Sequence, residues 1–315
     1  MKFGDVKFGE LPSAELIRLF RGGIAWRTGP YVVHVRSPVR FVARHLAWLY
    51  RDFGVLDYEE IPDAEISVRA SGMGWRRVSI FSDGAVRYRR VARSQAVPLL
   101  EWTLNLSVFH RPTQNLLIHA AVVEREGCSL ILPGEAGSGK STLCAGLIHH
   151  GWRLLSDEVA VIRPSDGCLL PVPRPVSLKG GGIEALRRMA PEACLGPVWP
   201  RTPKGRVAHL LPPTTSVQRM DEPARPAWIV FPQFQPGAGC RIQPLGKADT
   251  LLHCAGNAFN YSILGRQGFE VLAGVIDDCQ GYEMLFDDLW AAVDTLGGLR
   301  HPCMADLAVS GGACS

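Results

Sequence analysis

The chain has 315 residues, room for one large domain or two of ordinary size, and its 47% hydrophobic composition is that of a globular protein with a sizeable core. A net charge of +4 with no strongly basic tract leaves no footprint for nucleic acid, and the opening Met1-Lys2-Phe3-Gly4-Asp5-Val6-Lys7 has no apolar targeting core. No apolar run approaches the roughly 18 residues a membrane span needs, and nine scattered cysteines without a C-x-x-C pair argue against a disulfide framework or zinc site, so a cytoplasmic protein with reduced thiols is expected.

Residues 1 to about 95 mix helical and strand-like periodicity: a helix over 13–21, a strand over 31–36, a helix over 40–53, and strands over 66–70, 77–81 and 86–91. This α+β pattern carries no recognisable site and reads as a smaller N-terminal domain. Arg76-Arg77 and Arg89-Arg90 lie on alternating sequence, either as a solvated face or as an anion-binding surface. The remainder, 96–300, reads as an α/β domain. A helical pattern over 97–110 leads into a strand over 116–124, then into the apolar run Ser129-Leu130-Ile131-Leu132 and a glycine-rich loop. A further strand is expected over 153–162, then short strands and irregular loops through the proline- and glycine-dense stretch to about 236, with a core strand at 228–231. Helical periodicity returns over 247–296, with Leu251, Leu252, Ala255 and Phe259 on one face and Phe286, Leu289, Trp290 and Val293 on another, and the residues from 301 read as a flexible tail.

The loop is the most informative stretch. Gly134-Glu135-Ala136-Gly137-Ser138-Gly139-Lys140-Ser141 fits the phosphate-binding pattern G-x-x-x-x-G-K-[ST] at every specified position, and Thr142 continues it into an apolar helix. A strand before and a helix after are the context in which glycines let successive N–H groups turn inward and the helix N-terminus adds partial positive charge. Lys140 would then reach the β- and γ-phosphates of ATP, and the Ser141 hydroxyl would ligate Mg²⁺. The acidic pair Asp157-Glu158 closes the next strand, where it would return beside the phosphates as metal ligand or base; the alternative is a solvated strand end. His119 on the preceding strand reads either as a functional group or as a satisfied core histidine. Downstream, Lys179-Gly180-Gly181-Gly182-Ile183 offers a glycine run with one cation at its edge.

With these segments in hand, the chain resembles the HPr kinase/phosphorylase family, and more closely the HPr kinase-related proteins of bacterial peptide and small-protein modification clusters. His119-Ala-Ala-Val-Val is similar to the family's His-Gly-Val segment, the loop to its Gly-[DE]-Ser-Gly-x-Gly-Lys-Ser, and Gly151-Trp-Arg-Leu-Leu-Ser-Asp157-Glu158 to its Gly-x-Arg-Leu-x-x-Asp-Asp. Ser177-Leu178-Lys179-Gly180-Gly181-Gly182-Ile183 is a weaker echo of its Glu-Ile-Arg-Gly-x-Gly-Ile signature, with Ser and Lys where the family has Glu and Arg. The similarity covers about residues 115–185.

The resemblance implies a P-loop kinase core of the HPr kinase/phosphoenolpyruvate carboxykinase type, using ATP and Mg²⁺ to phosphorylate a Ser or Thr hydroxyl, in a homo-oligomer. By position Asp157 would be the general base and Glu158 would help Ser141 hold Mg²⁺. Lys179 and Arg206 are candidate substrate or phosphate contacts, Arg206 alternatively a surface cation. The changes at Ser177 and Lys179, and an N-terminal region unlike that of HPr kinase, point to an acceptor other than HPr: a small carrier protein or a modified peptide, presented by the N-terminal domain. Two further functions fit the same residues, a kinase of a small metabolite and an ATP-binding switch that transfers nothing.

Overall fold

A computed structural model of the chain describes residues 6–56, 61–71, 76–109 and 113–300. The tail expected from 301 lies outside them. The first strands and helices are α1 (Ser13–Gly22), β1 (Ile24–Thr28), β2 (Tyr31–Arg36), α2 (Arg40–Leu49), β3 (Val55–Leu56), β4 (Ala64–Ser71), β5 (Arg77–Ser82), β6 (Ala85–Ala92) and α3 (Ala96–Phe109). The six strands form one sheet in the order β3-β1-β2-β4-β5-β6, antiparallel except where β2 meets β4. Asp83 and Gly84 both take positive φ in the two-residue turn between β5 and β6, the geometry that matches the twist of paired strands. β6 is exposed along nearly its whole length, so Arg89 and Arg90 lie on a solvated strand. α3 is apolar all round and buried on nearly all sides, as a helix enclosed by protein must be. It packs against this N-terminal sheet, and its core continues into Leu117, Val161 and Val172 of the later chain.

The later elements are β7 (Leu116–Ile118), β8 (Ala120–Arg125), β9 (Cys128–Pro133), α4 (Lys140–Ile148), β10 (Arg153–Ser156), β11 (Ala160–Ile162), β12 (Leu169–Leu170), β13 (Val176–Lys179), α5 (Gly181–Met189), β14 (Trp199–Thr202), β15 (Gly205–Leu210), α6 (Thr214–Gln218), β16 (Arg225–Phe234), β17 (Arg241–Leu245), α7 (Lys247–Gly256), α8 (Tyr261–Leu264), α9 (Arg266–Asp278), β18 (Gln280–Phe286) and α10 (Leu289–Gly297). A central mixed sheet runs β10-β8-β9-β16-β18-β17, with β9, β16 and β18 mutually parallel. β8, β9, β10 and most of β16 are buried on both faces, whereas β17 at the edge is not, and the buried side chains alternate between two cores. Ala121, Val123, Leu130, Leu132, Trp228 and Val230 meet α4, α5 and α10, whereas Val122, Ile131 and Ile229 meet α7 and α9. The protein is therefore a mixed α/β structure, and no helix among the described residues is long and apolar enough to cross a membrane.

Two long strands of the sequence reading are each cut in two. The run 116–124 breaks at His119, and the run 153–162 breaks at residues 157–159. β8 and β10 join the central sheet, while β11 pairs with β7 on one side and β12 on the other in a separate three-stranded sheet. Adjacent strands thus change sheets at the same level. The backbone released by the break finds other partners: His119 N–H donates to the Asn257 carbonyl at 2.8 Å, and Val159 N–H to the Ser156 hydroxyl at 3.2 Å. A second difference is β18, which lies within the stretch read as helical. Met284 and Phe286 alternate inward along it, and Phe286 ends a strand rather than continuing the helical stripe of Leu289 and Val293.

Candidate active site

β9 carries the chain through the core to Pro133, and α4 begins at Lys140. Three glycines between them have positive φ, at 134, 137 and 139, where a side chain would be strained. Gly139 is constrained twice: a Cβ there would also lie 2.7 Å from Cζ of Phe286. The loop is closed by its own lysine. Lys140 Nζ donates to the Gly134 carbonyl and, at 2.8 Å, to the Glu135 carbonyl. Burial pushes the Lys140 ammonium below its ordinary pKa, against the nearby Asp157 and Glu158 carboxylates, which favour its charge.

The sheet-switching break places the acidic pair opposite this loop. Asp157 is 5% exposed; its Oδ2 accepts the Ser177 N–H at 3.1 Å, and its Oδ1 has no hydrogen-bond partner. Burial first, then the Glu158 carboxylate, pushes the Asp157 carboxyl up to about 8, while the Ser177 N–H, the Ser141 hydroxyl and Lys179 pull the other way. Ser177 is as deeply buried, and its hydroxyl is also without a partner. His119 Nε2 stands 3.8 Å from Glu158 Oε2. Burial and then Lys140 lower the His119 pKa, so its ring is neutral near pH 7 and the contact with Glu158 is not an ion pair.

A single cavity of about 810 Å³ collects these groups: His119, Ala136, Gly137, Gly139, Lys140, Ser141, Thr142, Asp157, Glu158 and Lys179 all line it. Gly134, Glu135 and Ser138 shape the loop without lining the cavity; the first two supply the carbonyls that hold Lys140, and the Ser138 carbonyl accepts the Phe234 N–H at 3.1 Å. Arg206 is not brought to the cavity wall. It lies on β15, exposed, paired with Glu184 at 2.8 Å, and the cation that lines the cavity from this hairpin is Lys204, held 4.4 Å over the Trp102 ring. A hairpin turn carries Lys204 inward, an arrangement that residue identity did not reveal.

Sequence reasoning did not single out Ser177, Arg188, Phe234, Phe286 or Trp290 as site residues. Ser177 carried a signal, since it stands in the segment that echoes a family signature. The others arrive from helices and strands far along the chain, and no local pattern marks them. Chemically, the arrangement offers a glycine-rich loop and the N-terminus of α4 for an anion, three lysines around it, and in the same cavity lining a buried carboxyl with one oxygen unpartnered.

No family model matches the chain. A local similarity does exist. An HPr kinase/phosphorylase of Clostridium botulinum (strain Eklund 17B / Type B) is 40% identical over 53 residues, 17% of this chain and 17% of the relative. The HPr kinase/phosphorylase of strain Alaska E43 / Type E3 matches to the same extent. The chain thus spans 17% of the length of the curated relatives it matches, so what it shares with HPr kinase/phosphorylase is a segment.

Proposed function

We propose that the chain is an ATP- and Mg²⁺-dependent phosphotransferase with a core of the HPr kinase/phosphoenolpyruvate carboxykinase type, acting on a Ser or Thr hydroxyl of a small carrier protein or modified peptide. The observation that carries this reading is that Lys140, Ser141 and Asp157, whose buried Oδ1 has no hydrogen-bond partner, line one cavity. The partial match to HPr kinase/phosphorylase points the same way. The loop N–H groups and α4 bind the phosphates, and Lys140 leaves the loop carbonyls to neutralise β- and γ-oxygens. Asp157 accepts the proton of the acceptor hydroxyl through Oδ1, held in place by the Ser177 N–H at Oδ2. The acceptor oxygen forms its bond to the γ-phosphorus as the bond to the bridging oxygen breaks, leaving ADP and a phosphate ester.

The donor set of Ser141 and Glu158, one hydroxyl and one carboxylate, fits an ion that keeps several waters and shares phosphate oxygens, as Mg²⁺ does. When bound, Mg²⁺ supplies neutralisation of the charge developing across the phosphate oxygens. Asp157 is competent as a base only when ionised, which its raised pKa restricts to mildly alkaline pH in the free chain. The N-terminal unit, residues 1–95, is proposed to present the acceptor, in a cytoplasmic homo-oligomer, the compartment that fits nine scattered cysteines with no C-x-x-C pair.

Mass spectrometry of candidate acceptors incubated with the protein, ATP and Mg²⁺ tests the reading. A Ser- or Thr-linked phosphate on a peptide or carrier protein is expected. A phosphorylated small metabolite would move the acceptor class, and ATP binding without any transferred phosphate would leave a switch as the better account.

A further inference from the structure

The cavity continues beyond the glycine-rich loop, and its far end has a different chemistry. Around the loop it is lined by lysines and carboxylates. Farther along, Glu184, Ala185 and Arg188 of α5 line one side, and Asp287 and Asp288 with Leu289 and Trp290 at the start of α10 line another. Phe286 and Phe234 join the two ends, packed against Gly139 in the loop itself. Trp290 is 47% exposed although most large apolar side chains here are buried. Its indole meets the His150 ring edge-on at 5.3 Å and 84°, which fixes it beyond the last turn of α4. α4 therefore measures the separation between the phosphate end and the indole. Its nine residues rise about 13 Å, comparable with the reach from the middle phosphate of an extended nucleotide to the far edge of its base.

An exposed tryptophan standing alone would need no explanation. This one shares a continuous cavity with a phosphate-type loop, at nucleotide distance, with the Phe234 and Phe286 rings between. We propose that Trp290 is the stacking surface for the base of the nucleotide whose phosphates occupy the loop. The proposal rests on the nucleotide reading above and adds the place where the base is recognised. Stacking reads the face common to all bases, so this end supplies affinity for a nucleoside over a bare polyphosphate.

Calorimetric titration of the full chain with Mg·ATP and with Mg·tripolyphosphate separates the two ends. Trp290→Ala is expected to weaken Mg·ATP about tenfold, the scale of losing one stacked base, and to leave tripolyphosphate unchanged; that unchanged arm also shows that the variant is folded. Trp290→Phe, which keeps an aromatic face, should stay within about threefold of wild type for ATP. Lys140→Ala should weaken both ligands. Unaltered ATP affinity in Trp290→Ala, with Lys140→Ala impaired, would overturn the stacking role while sparing the nucleotide reading. Equal affinity of the wild type for ATP and tripolyphosphate would do the same. A wild type that binds neither removes the nucleotide reading and the stacking role together.

Discussion

The molecule buries charged side chains in two places and treats them differently. Between the N-terminal sheet, α3 and the segment after β12, Arg174 donates to Glu101 Oε2 at 2.9 Å, to the Tyr50 hydroxyl at 3.1 Å and to the Asn105 side chain, while Tyr50 donates to the same Glu101 oxygen at 2.9 Å. One oxygen, Glu101 Oε1, is left over. Burial alone drives the Glu101 carboxyl upward, and Arg174 opposes it. In the cavity, by contrast, Asp157 has a single backbone partner, Ser177 offers an unbonded hydroxyl, and the lysine that could pair with the acid is turned back onto loop carbonyls. In the first cluster every member bonds to another, and none of them lines the cavity of the candidate site. In the second, Lys140, Asp157 and Ser177 all line it. Buried charge with mutual partners ties segments together, whereas buried charge without them is available to a ligand.

Replacing one member of each cluster breaks the comparison apart. Glu101→Ala leaves the Arg174 guanidinium buried beside a missing carboxylate, and the cost is expected to be about 3–5 kcal/mol of unfolding free energy. Chemical denaturation reads that loss, and the affinity of the folded fraction for Mg·ATP should be unaltered. A Glu101→Ala protein as stable as wild type would show that the closed cluster contributes no net stability.

Asp157→Asn should behave oppositely, and the sign depends on pH. The folded Asp157 carboxyl titrates at about 8 against an ordinary value of 3.8, so the native state holds its proton more tightly than the unfolded chain. That contribution to stability is fully present below about 4 and is lost as pH rises through about 8. Asn cannot ionise. The melting temperature of Asp157→Asn should therefore gain on wild type by a few degrees between those limits and hold its lead above them. A difference independent of pH would mean that Asp157 is not held protonated by its surroundings.

Much of this site was legible in the sequence, for reasons that are local. The loop is specified by glycines whose positive φ no other residue adopts cheaply, and Asp157-Glu158 follows one helix and one strand later, a spacing set by the geometry of that unit. Arg40 and Tyr31 open their elements where periodicity placed them. The breaks at His119 and Asp157 were not legible, because apolar residues flank them on both sides and a strand that changes sheets keeps its alternation. β18 was hidden by coincidence: Phe286, Leu289, Trp290 and Val293 fall at helical spacing across a strand end and a helix start. The far wall of the cavity depends on tertiary packing alone, and a hairpin turn that brings Lys204 rather than Arg206 to the cavity cannot be oriented from residue identity.

The central claim, that Asp157 takes the acceptor proton while Glu158 serves the metal, is tested most directly by titrating Mg²⁺ against the rate of transfer to the acceptor found by mass spectrometry. Asp157→Asn should keep its affinity for Mg·ATP within a few-fold of wild type and lose roughly a hundredfold or more in transfer rate at every Mg²⁺ concentration, the scale of a lost general base. Glu158→Gln should need more Mg²⁺ and recover part of its rate when given it. Wild-type transfer by Asp157→Asn, or its rescue by Mg²⁺ while Glu158→Gln stays inactive, would contradict the account.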